Sequence, residues 1–375
     1  MVLLMRRRRT RTQIGLDVGG KGVRAVQLTR VGDRYSVSSA ALSERTVDDL
    51  SESERADRLG RRIQGCVRQE QFHGRHVAAM LNPPAVEFHA LDLPPAVLKD
   101  ANADATQVVR WEVGRLMNEP LDAVETRHWA LPVTPVPAPN AIGVATRHDS
   151  ITQMIEACGH AGLVCRSVDT GATALSRLGK LLNAWGCDQV WGVLDVGCHH
   201  ARLVLCVGDV PVLVRHAGSG GHIWTERIAD SLQVSVKTAE VHKRDHGIAM
   251  TGRGVRHPNA DRLESRSHTI APSRELASIL LGVVRGELKD LASEVKRSYE
   301  YVLSCYPNRH AADLVLVGGG AVMRNLPEFL SSALGIKVRR ASDYLDNESC
   351  RLDYASGKQR QLEVLASAIG LAVGT

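Results

Sequence analysis

The sequence predicts an α/β protein made of two similar domains around a cleft, with a small insert subdomain in the first half. Three observations predict it. The stretch "LDVGGKGVRAVQLTRVGDRYSV" (16–37) and the stretch "LDVGCHHARLVLCVGDVPVL" (194–213) share one order: strand, acid-x-Gly turn, strand, Gly-Asp turn, strand. Period-2 and helical spacings interleave along the whole chain, as in α/β folds. A buried-type strand, "DLVLVGGGAVM" (313–323), then runs into three consecutive glycines. Asp17 and Asp195 lie 178 residues apart, too far for a solenoid repeat and suited to two domains that open with the same unit.

The elements follow in order. Gln13 to Gly19 reads as a strand and turn, and 23–42 as two alternating strands turning at Gly32-Asp33. Residues 50–71 place Leu50, Leu59, Ile63, Cys66 and Val67 at helical spacing, and 76–81 is again a strand. A β-α-β-β unit comes next: strand 86–94, helix 98–118, and strands 126–133 and 141–148 parted by the proline-rich "TPVPAPN". Residues 150–161 read as helix, 164–170 as strand and 174–182 as helix. After the repeated unit at 190, residues 225–244 read as helix, break, helix, and 247–273 as a loop. A long helix spans 274–306, a short one 325–334, a short strand 336–340 and a closing helix 362–373. The domain boundaries expected from this are a basic tail at 1–12, a first domain at 13–75 and 151–189, an insert at 76–150, a second domain at 190–235 and 308–375, and a helical subdomain at 236–307.

Composition narrows the function classes. A chain of 375 residues with 44% hydrophobic and 23% charged residues is that of an ordinary globular protein of more than one domain. Aromatics at 4% argue against base-stacking platforms. The net charge of +6 owes much to Arg6–Arg9 and Arg11, so no nucleic-acid-binding stripe is expected. Eight cysteines without a C-x-x-C pair fit free thiols in a reducing compartment. The start "MVLLMRRRR" has the reverse order of a secretory signal, which makes a cytoplasmic location the expectation. The arginine run is a solvated tail able to touch anionic lipid.

Glycine turns after a strand allow close backbone approach and let successive amides face an anion. A carboxylate at the strand end, Asp17 or Asp195, is placed to hold Mg²⁺ through water, since Mg²⁺ takes one or two carboxylates beside phosphate oxygens. The triple glycine, expected to open a helix, would seat a nucleoside against bare backbone. Cys198-His199-His200 and the pair His242/His246 read as loop residues and a solvated helix face rather than metal ligands; "HKRDH" has no glutamate of the H-E-x-x-H kind.

With these motifs in place the chain resembles the PilM family, actin-like and FtsA-related proteins of type IV pilus assembly. The resemblance runs over nearly the whole chain: "GLDVGGKGVRAVQL", "ALDLP" followed by "WEVGRLMNEPLDAV", "GDVPVLVRHAGSGGHIWTERIADSLQVSVKTAEVHK", "LVGGGAVMRNLPEFLSSALGIKV" and "ASAIGLAV". It implies an actin-like ATPase (ribonuclease H-like) fold, two similar domains around a nucleotide cleft, with an FtsA-type insert at 76–150. It implies ATP or ADP with Mg²⁺ as cofactors. Asp17, Gly19, Gly20 and Lys21 would form the first phosphate loop and Asp195 and Gly197 the second. Glu240 and Lys243 would flank base and ribose, and Gly318, Gly319 and Gly320 would hold the adenosine. Asp169 stands where relatives can carry a water-positioning acid. The implied partner is the tail of a PilN-like inner-membrane protein, bound in a groove near the insert. Self-association and a peripheral place at the inner membrane are compatible with it. Small hydroxyl residues usually follow both acid-x-Gly turns in that family; "GKG" and "CHHA" stand here, which favours holding nucleotide over hydrolysing it. Two other readings are a small-molecule (sugar-type) kinase of the same superfamily and an FtsA-like cell-division filament protein.

Overall fold

The computed structural model describes residues 9–44, 56–94, 97, 103–117, 119–250, 270–354 and 359–374. Arg6–Arg8, the first residues expected in the helix at 98–118, and 251–269 of the expected loop lie outside the described residues. Fifteen strands are described: β1 (Arg9–Arg11), β2 (Ile14–Gly19), β3 (Gly22–Val31), β4 (Arg34–Glu44), β5 (His76–Leu81), β6 (Val86–Leu91), β7 (Val124–Ala130), β8 (Ala141–Arg147), β9 (Val164–Thr170), β10 (Gln189–Val196), β11 (His200–Val207), β12 (Val210–Ser219), β13 (His310–Val317), β14 (Val338–Arg340) and β15 (Leu352–Asp353). The helices are α1 (Ala56–Val67), α2 (Ala103–Met117), α3 (His148–His160), α4 (Gly171–Leu182), α5 (Gly221–Leu232), α6 (Val236–His246), α7 (Ile270–Cys305), α8 (Leu326–Leu334) and α9 (Gln359–Val373).

The repeat read in the sequence is a repeat of topology. The first sheet runs β4-β3-β2-β5-β9 and the second β12-β11-β10-β13-β14, each with three antiparallel strands followed by two parallel ones. Two additions extend the first sheet. Arg9–Arg11 pairs with the far end of β3, so this part of the expected tail is a strand, and β15 joins β4 in parallel. His76–Leu81, placed with the insert from the sequence, pairs with β2 and β9 inside the first sheet. The separate three-stranded sheet β6-β8-β7 therefore starts at Val86.

Alternation along the strands sets the layers. In β2, Ile14 and Leu16 face a core shared with α1 and α3, so Gly15 and Asp17 face the other way. In β10, Val190 and Leu194 face the core under α5 and α7, so Trp191, Val193 and Asp195 share the opposite face. That opposite face of each sheet packs on one central layer, α4 and α9, through Leu175, Leu178, Leu365 and Ile369. The two loop acids consequently point from their strand ends toward the same space between the sheets.

Close approach in this layer depends on residues without bulk. A side chain on Gly370 would overlap the backbone of Ala174, and one on Gly15 the carbonyl of Ala368. The insert, with α2 packed against β7 and β8, also leans on the second half: Trp129 donates from Nε1 to the carbonyl of Pro211 at 2.8 Å.

Gly370→Ala is expected to destabilise the protein by about 1–3 kcal/mol through overpacking at the α4–α9 crossing. Gly282→Ala, in a helix interior with open space where its Cβ would stand, is expected to stabilise it by about 0.5–1 kcal/mol. Urea unfolding of the two variants checks both signs.

Candidate functional site

The first loop is tight. Gly19 pairs with Gly22 across the hairpin, leaving only Gly20 and Lys21 to turn the chain. A side chain on Gly22 would strike the carbonyl of Ser43, so the turn must be made of glycine there. The second loop is wider: Val196 pairs with Ala201, and the amide of Gly197 donates to the carbonyl of His200 at 3.0 Å. Its carbonyls are held by the start of α5. Gly220 donates to His199, Gly221 to Gly197 and His222 to Cys198, at 2.8, 2.9 and 2.8 Å. Those helix N-terminal amides are thus spent on the loop.

The third loop folds onto the second. Gly318 has φ +89° and stands so close that a Cβ would touch the carboxylate of Asp195 and the carbonyl of Val196. Gly320 abuts the Val196 side chain, while Gly319 faces open space. The sequence led us to expect a helix opening at these glycines. Instead Gly319–Val322 is a single 3₁₀ turn and α8 begins only at Leu326. The left-handed turn at Gly318 directs the chain across Asp195 first, and a second left-handed residue, Asn325, redirects it into the helix.

The loop and α6 residues read from the sequence meet here, and His199 and Lys21 are among those that join the halves. The His199 ring lies against Gly20. Lys21 donates to Glu240 Oε1 at 3.0 Å from the opposite wall. Glu240 Oε2 accepts from Lys243 and Thr225, both at 2.7 Å, and Oε1 also accepts from Arg244 at 3.1 Å. Lys243 is buried, and its three donors go to Gly221 O, Thr225 Oγ1 and Glu240. Burial pushes the Glu240 carboxyl up, but Lys243, Thr225 and Lys21 outweigh it and hold the group well below the usual carboxylate range. Burial lowers the Lys243 ammonium, with Glu240 opposing. In this arrangement Glu240 and Lys243 lock α5 to α6 and the two walls to each other.

Each loop acid is met by an arginine that sequence reasoning missed. Asp17 is register-paired with Arg24 across β2–β3, and Asp195 with Arg202 across β10–β11. Arg24 Nη1 donates to Asp17 Oδ2 at 3.3 Å, and Arg202 Nη2 stands 3.7 Å from Asp195 Oδ2. The signal was legible: D-V-G-x-x-x-x-R occurs at 17–24 and again at 195–202. All four side chains are largely buried, and the Nε of Arg24 is buried with no hydrogen-bond partner among the described residues. Burial pushes the Asp195 carboxyl up, Arg202 and Arg24 draw it down and Asp17 pushes it up; the net direction is upward. Both acids were expected to hold Mg²⁺ through water. As placed, they do not fit that ion, because a guanidinium already occupies the neutralising position at each carboxylate.

Asp169 closes β9 and is turned onto α4. Its Oδ1 accepts from the Thr170 amide at 2.7 Å and from Thr173, and its Oδ2 from Arg177 at 2.6 Å. The site touches this helix through Arg202, whose guanidinium fills the space where a side chain on Gly171 would stand. Four imidazoles, His199, His200, His216 and His222, ring the second loop. Burial lowers the His200 and His216 pKa values, and neighbouring Arg202 adds to it.

The chain matches known proteins in keeping with this geometry. The family model described as type IV pilus assembly protein PilM matches residues 15–253, and that of cell division protein FtsA matches 192–358. Among solved structures, the PilM–PilN type IV pilus biogenesis complex is similar at 23% identity over 96% of this chain and 98% of that one, with a TM-score of 0.72. The ethanolamine utilization protein EutJ from Carboxydothermus hydrogenoformans is similar at 12% identity over 97% and 90%, with a TM-score of 0.52.

Lys243→Met, which removes one of the four donors to Glu240 and leaves the Gly221 carbonyl without that donor, is expected to cost about 1–3 kcal/mol. Lys21→Ala, at the more exposed end of the network, is expected to cost under about 1 kcal/mol. Because folding depresses the Glu240 pKa below its ordinary 4.5, its contribution is complete above that pH and fades as the pH falls below it. The destabilisation caused by Glu240→Gln, read by urea unfolding, should therefore shrink from neutral to acid pH.

Proposed function

This chain belongs to the type IV pilus assembly protein PilM family, and from that premise we propose that it is a nucleotide-binding scaffold at the cytoplasmic face of an inner-membrane assembly platform. Its fold is the actin-like ATPase fold. The observation that carries the proposal is the family match over residues 15–253, which takes in the first loop, the insert, the second loop and α6.

ATP or ADP is the proposed ligand. Lys21, the Gly19–Gly20 turn and the second loop would face its phosphates, and Gly319, with open space before it, its nucleoside. Asp169, whose two carboxylate oxygens accept from Thr170, Thr173 and Arg177, would position α4 rather than a water. No helix among the described residues is long and apolar enough to cross a membrane, so membrane contact would come through a partner, with the basic run Arg6–Arg11 as a secondary contact.

The proposed partner is the cytoplasmic tail of a PilN-like membrane protein, the kind of complex formed by the structural neighbour. A cavity of about 190 Å³ between the insert and the second half offers it an apolar seat, lined by Phe88, Ile142, Val212, Val214, Tyr301 and Tyr306. Tyr301 is half exposed on its rim. Calorimetric titration with a synthetic peptide of that tail tests the reading. Binding is expected, and Tyr301→Asp should weaken it by at least about tenfold with no change in the melting midpoint. Absence of peptide binding, with and without ATP, contradicts it.

A further inference from the structure

The cleft floor departs from what a divalent-cation site requires. A cation bridging a polyphosphate to a protein needs carboxylate charge that is not otherwise neutralised. Here the two carboxylates at the strand ends are both answered from the facing strand, at the same register, in both halves of the chain. The duplication of D-V-G-x-x-x-x-R means that this is one arrangement made twice.

The arginines have capacity left over. A guanidinium presents five N–H donors in a planar fork. Arg24 spends one on Asp17, beside Gly19, and its buried Nε–H has no acceptor among the described residues. Arg202 stands at ion-pair distance from Asp195 and reaches across to Gly171 at the start of α4. Bidentate donation to phosphate is what this fork is shaped for, and a cation already in place can serve where Mg²⁺ otherwise would. Lys21, ion-paired with Glu240, stands at the mouth of the first turn.

We infer that Arg24 and Arg202 take the place of the divalent cation, so that the cleft holds the polyphosphate of its nucleotide without Mg²⁺. The inference rests on the nucleotide reading given above. In the resulting complex each arginine keeps one edge on its aspartate and turns the other to phosphate oxygens. Phosphate oxygens are met by the N–H donors of fixed side chains, with no exchangeable ion between ligand and protein.

Calorimetric titration of the full chain with ATP, once in excess Mg²⁺ and once in excess EDTA, tests this. Dissociation constants agreeing within about threefold are expected, with inorganic tripolyphosphate competing in EDTA. Binding that survives only in Mg²⁺ overturns the inference and leaves the nucleotide reading standing. No binding in either buffer overturns both. Arg202→Gln, which frees Asp195 while keeping a polar side chain, is expected to lose about tenfold in EDTA and to regain affinity when Mg²⁺ is added. Equal affinity of this variant and the parent in EDTA speaks against the role of Arg202.

Discussion

Two largely buried carboxylates at the ends of matching strands constrain everything around them. A carboxylate removed from water must be paired, or it raises its pKa and loses its charge. Asp17 and Asp195 are each paired by the residue directly across their own hairpin, Arg24 and Arg202. The pairing is local to each half, made within one hairpin. It also sets the electrostatics of the floor, where each carboxylate faces a guanidinium.

That floor exists because the sheets present the same face to a common helical layer. Gly15 and Gly370 let α9 approach β2 and α4 without side chains between them. Gly318 does the same for the third loop over Asp195. Above the floor, Lys21 and Glu240 tie one wall to the other, and Thr225, Lys243 and Arg244 secure Glu240 from its own side. Small residues set the distances, and the ion-pair network sets which distances are held.

Much of this was legible in the sequence. Strand alternation at 14–31 and 190–207, the twin acid-x-Gly turns and the β-α-β-β insert were readable because period and turn chemistry are local. The boundary at residue 76 was not, since whether His76–Leu81 joins the insert or the first sheet depends on pairing with β2 and β9, which lie far away in sequence. The helix read at 325–334 stands at Leu326–Leu334, but the glycines do not open it, for a related reason: Gly318 is needed for contact with Asp195, a residue 123 positions earlier. The arginines could have been found, because the D-V-G-x-x-x-x-R spacing repeats without a gap. Lys21–Glu240 could not, because it joins elements whose facing is set only by the assembled layers. Glu240 and Lys243 were read from one helical face, yet their polar atoms turned out to be engaged with Thr225, Gly221 and Lys21.

The central claim is that arginine, and not a metal ion, faces the ligand at the floor of the cleft. A crystal structure of the chain grown with ATP and Mn²⁺, with anomalous scattering recorded at the manganese edge, tests it most directly. Phosphate density within hydrogen-bond distance of Arg24 and Arg202 is expected, with no anomalous peak beside Asp17 or Asp195. A manganese peak between those carboxylates and the phosphates, with either arginine swung away, would contradict it.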